Sequence, residues 1–260
     1  MRQEVGLAPS LLHRRDAGHK LLVPYVTGGL GRDWIDSLEA VAAAGADAVE
    51  VGLPFSDPMM DGPVIQRASV EALASGATAQ RIIAEVASAD VSVPVAVMTY
   101  YNLVARMGHR RMAHLLAGAG VTGAIVPDLP LDELDGWAEE ADSAGVATVL
   151  LAAPTTPPER LKLIVERARG FLYAVGSMGV TGERADLAAS AAEIAGRCKA
   201  ATDLPVLVGV GISTPAQAVE VCQVADGVVV GSALVRRLLD GCGPEGAADL
   251  VREFRVALDG

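Results

Sequence analysis

The sequence is poor in aromatic residues. Phe, Trp and Tyr make up 3% of its 260 residues, although hydrophobic residues reach 51%. A large core is available, but it must be built from Ala, Val, Leu and Ile. That composition suits helices packed on a parallel sheet. Basic residues are also scarce: 21 Lys and Arg stand against 32 Asp and Glu, a formal net charge of −11. This deficit argues against a general nucleic-acid binder, whose affinity comes from neutralising phosphates. It leaves room for a small anion held by backbone N–H groups. There are three cysteines, Cys198, Cys222 and Cys242. The number is odd and the spacing matches no zinc pattern, so they read as incidental thiols in a reducing compartment. His13, His19, His109 and His114 fall near helices, read as surface residues, and form no cluster that would hold a metal. No apolar run is long enough to span a bilayer. Residues 1–20 are mixed and charged, without the apolar core of a signal peptide. The expectation is a cytoplasmic protein that binds neither membrane, nucleic acid nor metal.

What is present is a repeat. After a short helical stretch at residues 9–16, residues 21–26 form a buried strand that ends at Thr27-Gly-Gly29. Asp33 is placed to cap a helix with Ile35, Leu38 and Val41 at helical spacing, closed by Gly45. Further strands are expected at 47–51, 93–98, 124–126, 146–151, 171–175, 205–208 and 227–230. Helices are expected after Pro63 (with Val64, Ala68 and Leu73 on one face), from Thr78 to Ala87, at 109–119, 131–144, 159–168, 187–200, from Thr214-Pro215, after Gly231-Ser232, and at 245–258. Proline at a first helical position suits the start at Pro215. Strands alternating with helices imply a parallel sheet. About eight such units are what a closed (β/α)8 barrel of the TIM type needs. The reading is one α/β domain over residues 1–260, with an extra N-terminal helix and extra helices in the loops after strands two and eight. A doubly wound open sheet is the alternative, but no Gly-x-Gly-x-x-Gly follows the first strand.

In such a barrel the site lies at the C-terminal ends of the strands. Three glycine-rich segments fall there: Gly179-Val-Thr-Gly182, Gly209-Val-Gly-Ile-Ser213 and Gly231-Ser232. Each alone reads as a turn. Together, after strands six, seven and eight, they point to phosphate binding. Glu50 lies inside a hydrophobic strand, where an unpaired acid is costly. Pointed into the barrel mouth, its pKa would rise toward a range useful for proton transfer. Asp61 lies on the broken loop that follows. Asp57 is placed to pin that loop, and Asp128, between Pro127 and Pro130, is open between a catalytic role, a loop brace and a contact surface. Asp33, Asp132 and Asp186 read as helix caps. Tyr25, Tyr100, Tyr101 and Tyr173 all fall near strand ends. They suggest a site for a flat ligand, or else a plug for the barrel end.

The run from Glu50 to Gln66, Glu-Val-Gly-Leu-Pro-Phe-Ser-Asp-Pro-Met-Met-Asp-Gly-Pro-Val-Ile-Gln, resembles the signature of the tryptophan synthase alpha subunit. The likeness extends to Pro24-Tyr-Val-Thr-Gly-Gly29, Tyr100-Tyr-Asn102, Pro127-Asp-Leu-Pro130, Gly179 to Gly182, Gly209 to Ser213 and Gly231-Ser-Ala233. The resemblance implies retro-aldol cleavage of indole-3-glycerol phosphate to indole and glyceraldehyde 3-phosphate. It implies a beta-subunit partner in an alpha2beta2 heterotetramer, with pyridoxal phosphate in that partner and no cofactor here. By position, Glu50 would be the general acid/base and Asp61 the indole N–H partner. Tyr25, Tyr100, Tyr173, Thr181, Gly182, Gly211, Gly231 and Ser232 would bind substrate. Pro54, Asp57 and Asp128 would serve the loops or the partner contact. The sequence departs from the family at Tyr25, where phenylalanine is common, at Met59-Met60, and at Gly176-Ser-Met178. A different enzyme on the same barrel would put a lysine or aspartate at the ends of strands one and two. A non-catalytic subunit would have lost the acid pair, and both acids are present.

Overall fold

The computed structural model describes residues 6–176, 184–209 and 211–260, with only the backbone of 184–189. Thr181, Gly182 and the segment Gly179 to Gly182 lie outside the described residues, as does the departure at 177–178. Eight parallel strands close into a barrel: β1 (Leu21–Thr27), β2 (Val49–Gly52), β3 (Val95–Met98), β4 (Val121–Ile125), β5 (Ala147–Ala152), β6 (Leu172–Ala174), β7 (Val206–Val208) and β8 (Gly227–Val230). β1 pairs with both β2 and β8, so the sheet has no free edge.

The pleat sorts side chains by a period of two. On β1, Leu22 and Val26 face outward into the layer between strands and helices, together with Val49, Val51, Val95 and Val97. Leu21 and Val23 face inward with Ala48, Ala96, Ile125, Val149, Phe171, Leu207 and Val229. A helix at the N-terminus, α1 (Leu7–Asp16), adds Leu7 and Leu11 to this inner cluster and fills the foot of the barrel.

The connecting helices are α2 (Trp34–Ala43), α3 (Pro63–Ala74), α4 (Ala79–Ser88), α5 (Tyr101–Met107), α6 (His109–Gly118), α7 (Asp135–Ser143), α8 (Pro158–Arg167), α9 (Arg184–Lys199), α10 (Pro215–Val221), α11 (Ser232–Leu239) and α12 (Gly243–Asp259). Paired helices follow β2 and β8, as expected, and also β3, which was not expected. The N-terminus of α5 is held from elsewhere in the chain: the Tyr101 N–H donates to Asp128 Oδ1 at 2.8 Å. The single helix expected at 131–144 is a 3-10 turn, Leu131–Glu133, followed by α7. The buried face of α3 is Ile65, Ala68, Ser69 and Ala72, not Val64 and Leu73, because Ile65 and Ala68 pack with Tyr25, Leu30 and Val235 over the barrel end.

Thr78 caps α4 by accepting from the Arg81 N–H, and Thr214 with Gln217 forms a capping box on α10. Asp33 occupies the N-cap of α2 but makes no capping hydrogen bond. Asp132 pairs with Arg160 instead of capping, and the side chain of Asp186 lies outside the described residues.

Two aspartates tie the strand feet. Asp47, just before β2, accepts from the Leu22 N–H of β1 at 2.8 Å, from Arg14 of α1 at 2.7 Å and from Arg255 of α12 at 3.1 Å. Asp226, just before β8, accepts from the Val206 N–H of β7 at 2.8 Å and from Lys199 at 2.7 Å. The Asp47 side chain is 2% exposed. Removing one partner from a buried charge network strands the others, at a cost of about 3–5 kcal/mol. Asp47→Ala should lose about that much stability in urea unfolding. Asp47→Asn, which can still accept from Leu22, should lose clearly less.

Candidate active site

The inner face changes character toward the C-terminal ends of the strands. Above the layer of Ala48, Val149, Phe171 and Val229, the next inward positions leave a cavity of 480 Å³. Tyr25, Glu50, Met98, Ile125, Leu151 and Tyr173 line it from the strands. Met60, Asp61 and Gly62 cover it from the loop after β2, and Gly209, Gly211, Gly231 and Ser232 form its rim after β7 and β8.

Glu50 points inward because it is two residues beyond Ala48, between the outward-facing Val49 and Val51. It pairs in register with Tyr25. The residue is 1% exposed and its Oε2 has no hydrogen-bond partner. Burial, reinforced by the negative charge of Asp61, pushes its pKa from 4.5 up to about 8. Asp61 is only partly buried. Burial raises its pKa as well, but a hydrogen bond from Tyr100 offsets part of the rise. Asp61 is therefore the more acidic of the pair, and Glu50 the one that keeps its proton near neutral pH. Two carboxyls in one cavity are thus pushed into different protonation states by their surroundings.

Two tyrosines stand beside Glu50, each over a glycine. A Cβ on Gly52 would overlap the Tyr25 hydroxyl, and a Cβ on Gly209 would overlap the Tyr173 hydroxyl. Each glycine clears room for the ring of a neighbouring strand. Burial raises the pKa of both tyrosines, so both hydroxyls remain protonated. Phe171 packs beneath Tyr173 with ring centroids 5.8 Å apart.

The loop after β2 is held from β3. The Leu53 N–H donates to the Met98 carbonyl at 2.8 Å, and the Met60 N–H donates to the Tyr100 hydroxyl at 3.0 Å. Phe55 stacks on the Tyr100 ring at 5.1 Å. Tyr100 therefore grips the loop that carries Asp61 and does not itself line the cavity. Burial pushes its pKa up to about 12. Tyr101 turns away and bonds His109. Ser56 donates to Asp57 within the exposed loop tip, and Met59 is 81% exposed. Pro54 faces a separate cavity, and Asp128 braces α5.

Gly211 has φ +86°, a conformation that favours glycine, and Gly231 with Ser232 opens α11. No side chain caps α11. Its first N–H groups are thus free to face an anion. The apolar lining residues Met98, Ile125, Leu151, Val175 and Val229 were not singled out by motif. The inward alternation of the strands is the signal that would have found them. Among the described residues no group of His, Cys, Asp and Glu could hold a metal.

A (β/α)8 barrel with a buried carboxyl at the end of β2, a second acid on the covering loop and a glycine rim after β7 and β8 has the layout of a barrel enzyme whose site lies at the C-terminal ends of its strands. Residues 12–255 match the family model described as tryptophan synthase alpha chain, and the chain belongs to that family. It is 47% identical to the tryptophan synthase alpha chain of Streptomyces coelicolor over 238 residues, covering 91% of this chain and 85% of that one. It is 42% identical to that of Chloroflexus aurantiacus, covering 97% and 98%. Among solved structures, tryptophan synthase from Mycobacterium tuberculosis superposes with a TM-score of 0.89 at 39% identity, covering 97% of each chain.

The raised pKa of Glu50 has a sign that stability should report. Folded Glu50 holds its proton up to about pH 8, whereas the unfolded carboxyl releases it near 4.5. The folded state therefore binds more protons between these values, and Glu50 costs progressively more stability as pH rises through this window. Glu50→Gln should be close to neutral at pH 4.5 and stabilising by a few kcal/mol at pH 8, on the order of the pKa difference. Urea unfolding at both pH values would show it; a gain independent of pH would contradict the assignment.

Proposed function

We propose that the chain is a carbon–carbon lyase of tryptophan biosynthesis that cleaves indole-3-glycerol phosphate to indole and glyceraldehyde 3-phosphate. The observation that carries this reading is Glu50: a buried, unpaired, protonated carboxyl in the same cavity as a more acidic carboxyl on a covering loop. The reaction needs a proton delivered to a ring carbon and a negative charge near the ring nitrogen.

The indole ring would lie among the apolar strand-end side chains. Its phosphate would sit on the rim at Gly211, Gly231 and Ser232, with Thr181 and Gly182 as further candidates by family position. Glu50 gives its proton to the ring carbon that bears the glycerol chain. The ring becomes an iminium-like electron sink, and Asp61 stabilises the positive N–H. Glu50, now a carboxylate, takes the proton from the hydroxyl on the adjacent chain carbon. The bond between ring and chain breaks, its electrons neutralise the ring, and the chain carbon becomes the aldehyde. Glu50 ends protonated, as it began.

The chain would act as one (β/α)8 domain over residues 1–260, in the cytoplasm. Its partner would be a beta subunit in an alpha2beta2 assembly, receiving the indole and holding the pyridoxal phosphate; this chain needs no cofactor. The exposed loop tip at Ser56, Asp57 and Met59, with the buried Pro54 at its base, is suited to that contact, and Asp128 braces the neighbouring helix.

Purified protein mixed with indole-3-glycerol phosphate, with and without a beta subunit, should release indole. A general acid/base is worth about 10²–10⁴-fold, so Glu50→Gln should lower kcat by at least that range with the fold intact. Asp61→Asn should also lower kcat severely. The rate for the parent should fall as pH rises through about 8, where Glu50 loses its proton. Absence of indole under both conditions would sink the reaction. Indole formation that survives both substitutions would sink the residue roles.

A further inference from the structure

Tyr25 spans two parts of the barrel mouth. It stands on β1, between β8, which leads into the Gly231 and Ser232 rim, and β2, which carries Glu50. A Cβ built on Gly231 would lie 3.7 Å from the Tyr25 Cβ, so the base of the side chain touches the rim. At the other end the hydroxyl fills the space in front of Gly52, two residues beyond Glu50. The ring thus bridges the glycine rim and the strand of the buried carboxyl, and it lines the cavity between them.

The hydroxyl at its tip has polar neighbours but no completed bond. Thr27, in register with Gly52, is fully buried. Its hydroxyl is close enough to ease the burial-driven rise of the Tyr25 pKa, yet Thr27 Oγ1 has no hydrogen-bond partner. Glu50 Oε2, on the register neighbour of Tyr25, is unpartnered too. No described acceptor takes the Tyr25 proton. Tyrosine hydroxyls find a partner when buried, because an unpaired donor is costly. A polar atom of whatever fills the cavity is the acceptor left for it.

The glycerol chain of the proposed substrate offers such an atom. The hydroxyl next to the ring gives its proton to Glu50, and the phosphate sits on the rim. The middle hydroxyl has no partner in that scheme. It lies between those two groups in the substrate, as Tyr25 lies between their strands in the barrel. On the reading that this chain cleaves indole-3-glycerol phosphate, we propose that Tyr25 is a specificity-determining residue whose hydroxyl donates a hydrogen bond to the middle hydroxyl of the glycerol chain.

Two ligands isolate this bond. An indol-3-yl propyl phosphate has neither chain hydroxyl. Its counterpart with the middle hydroxyl alone, in the substrate's configuration, has one. Neither carries the hydroxyl next to the ring, so neither is cleaved and both bind at equilibrium. Dissociation constants would be measured by calorimetry for the parent and for Tyr25→Phe. The substitution removes one oxygen and adds no bulk, so the fold should hold, and retained binding of the propyl ligand would verify it. The parent should prefer the hydroxylated ligand by about threefold to tenfold, the scale of one neutral hydrogen bond. Tyr25→Phe should bind the propyl ligand within about twofold of the parent and lose the preference. A preference that survives in Tyr25→Phe would overturn the assignment, as it would if the hydroxyl served only Thr27 or Glu50. So would a parent without preference, or a variant weakened equally for both ligands. Indole release from indole-3-glycerol phosphate by the parent, measured alongside, keeps two failures apart. Without it the reaction falls and takes this role with it; with it, an unchanged preference removes this role alone.

Discussion

The pleat of eight parallel strands is the constraint on which the structure depends. Every inward residue must either fill the barrel or leave a hole in it. At the foot, Leu7, Leu11, Leu21, Phe171 and Leu207 fill it. At the other end, glycine stands at Gly52, Gly209 and Gly231, and the volume those side chains would have taken becomes space for a ligand and for two tyrosine rings. The same alternation that packs one end opens the other. The transition takes about two residues per strand, which is why a carboxyl one step above Ala48 is already at the floor of a cavity.

That position explains the electrostatics. Glu50 cannot be solvated from below, where the core is apolar, and its register neighbours Tyr25 and Ala96 leave its Oε2 without a hydrogen-bond partner. Its proton is retained because the alternative is an uncompensated charge in a poorly polarisable space. Asp61 approaches from the loop and keeps contact with water and with Tyr100, so it remains the better acid. The asymmetry between two chemically similar groups comes from where the backbone places each, one on a rigid strand and one on a loop held by Tyr100 and Phe55.

Much of this was legible in the sequence. An acid inside an apolar strand stands out without any structure, and the regular alternation of strand and helix set the barrel. Thr78, as a cap, and Pro215, at a first helical position, announced their helices through chemistry that is local in sequence. What was not legible depends on contacts between distant segments. The helix α5 begins where Asp128 of another loop receives its first N–H. Tyr100 was readable as a residue near the site, but its hold on the Met60 backbone is a contact across 40 positions. The fit of each tyrosine over a glycine needs the register between neighbouring strands, which no single strand carries. Asp33 had the right residue type in the right place for a cap, yet makes no such bond.

The Asp47 cluster carries a consequence for how the chain is assembled. Arg14 and Leu22, which satisfy one part of this carboxylate, are made before it on the ribosome. Arg255 is made 208 residues later. The β1–β8 seam imposes the same order, since Leu21 must wait for Gly227. A chain interrupted before β8 therefore keeps an open sheet with two exposed edges, and one interrupted before α12 leaves Asp47 without Arg255. Contacts of such long sequence separation form late and slow folding. The helix α12 thus works as a latch on the foot of the barrel, bringing a donor to Asp47 from a segment made after every strand.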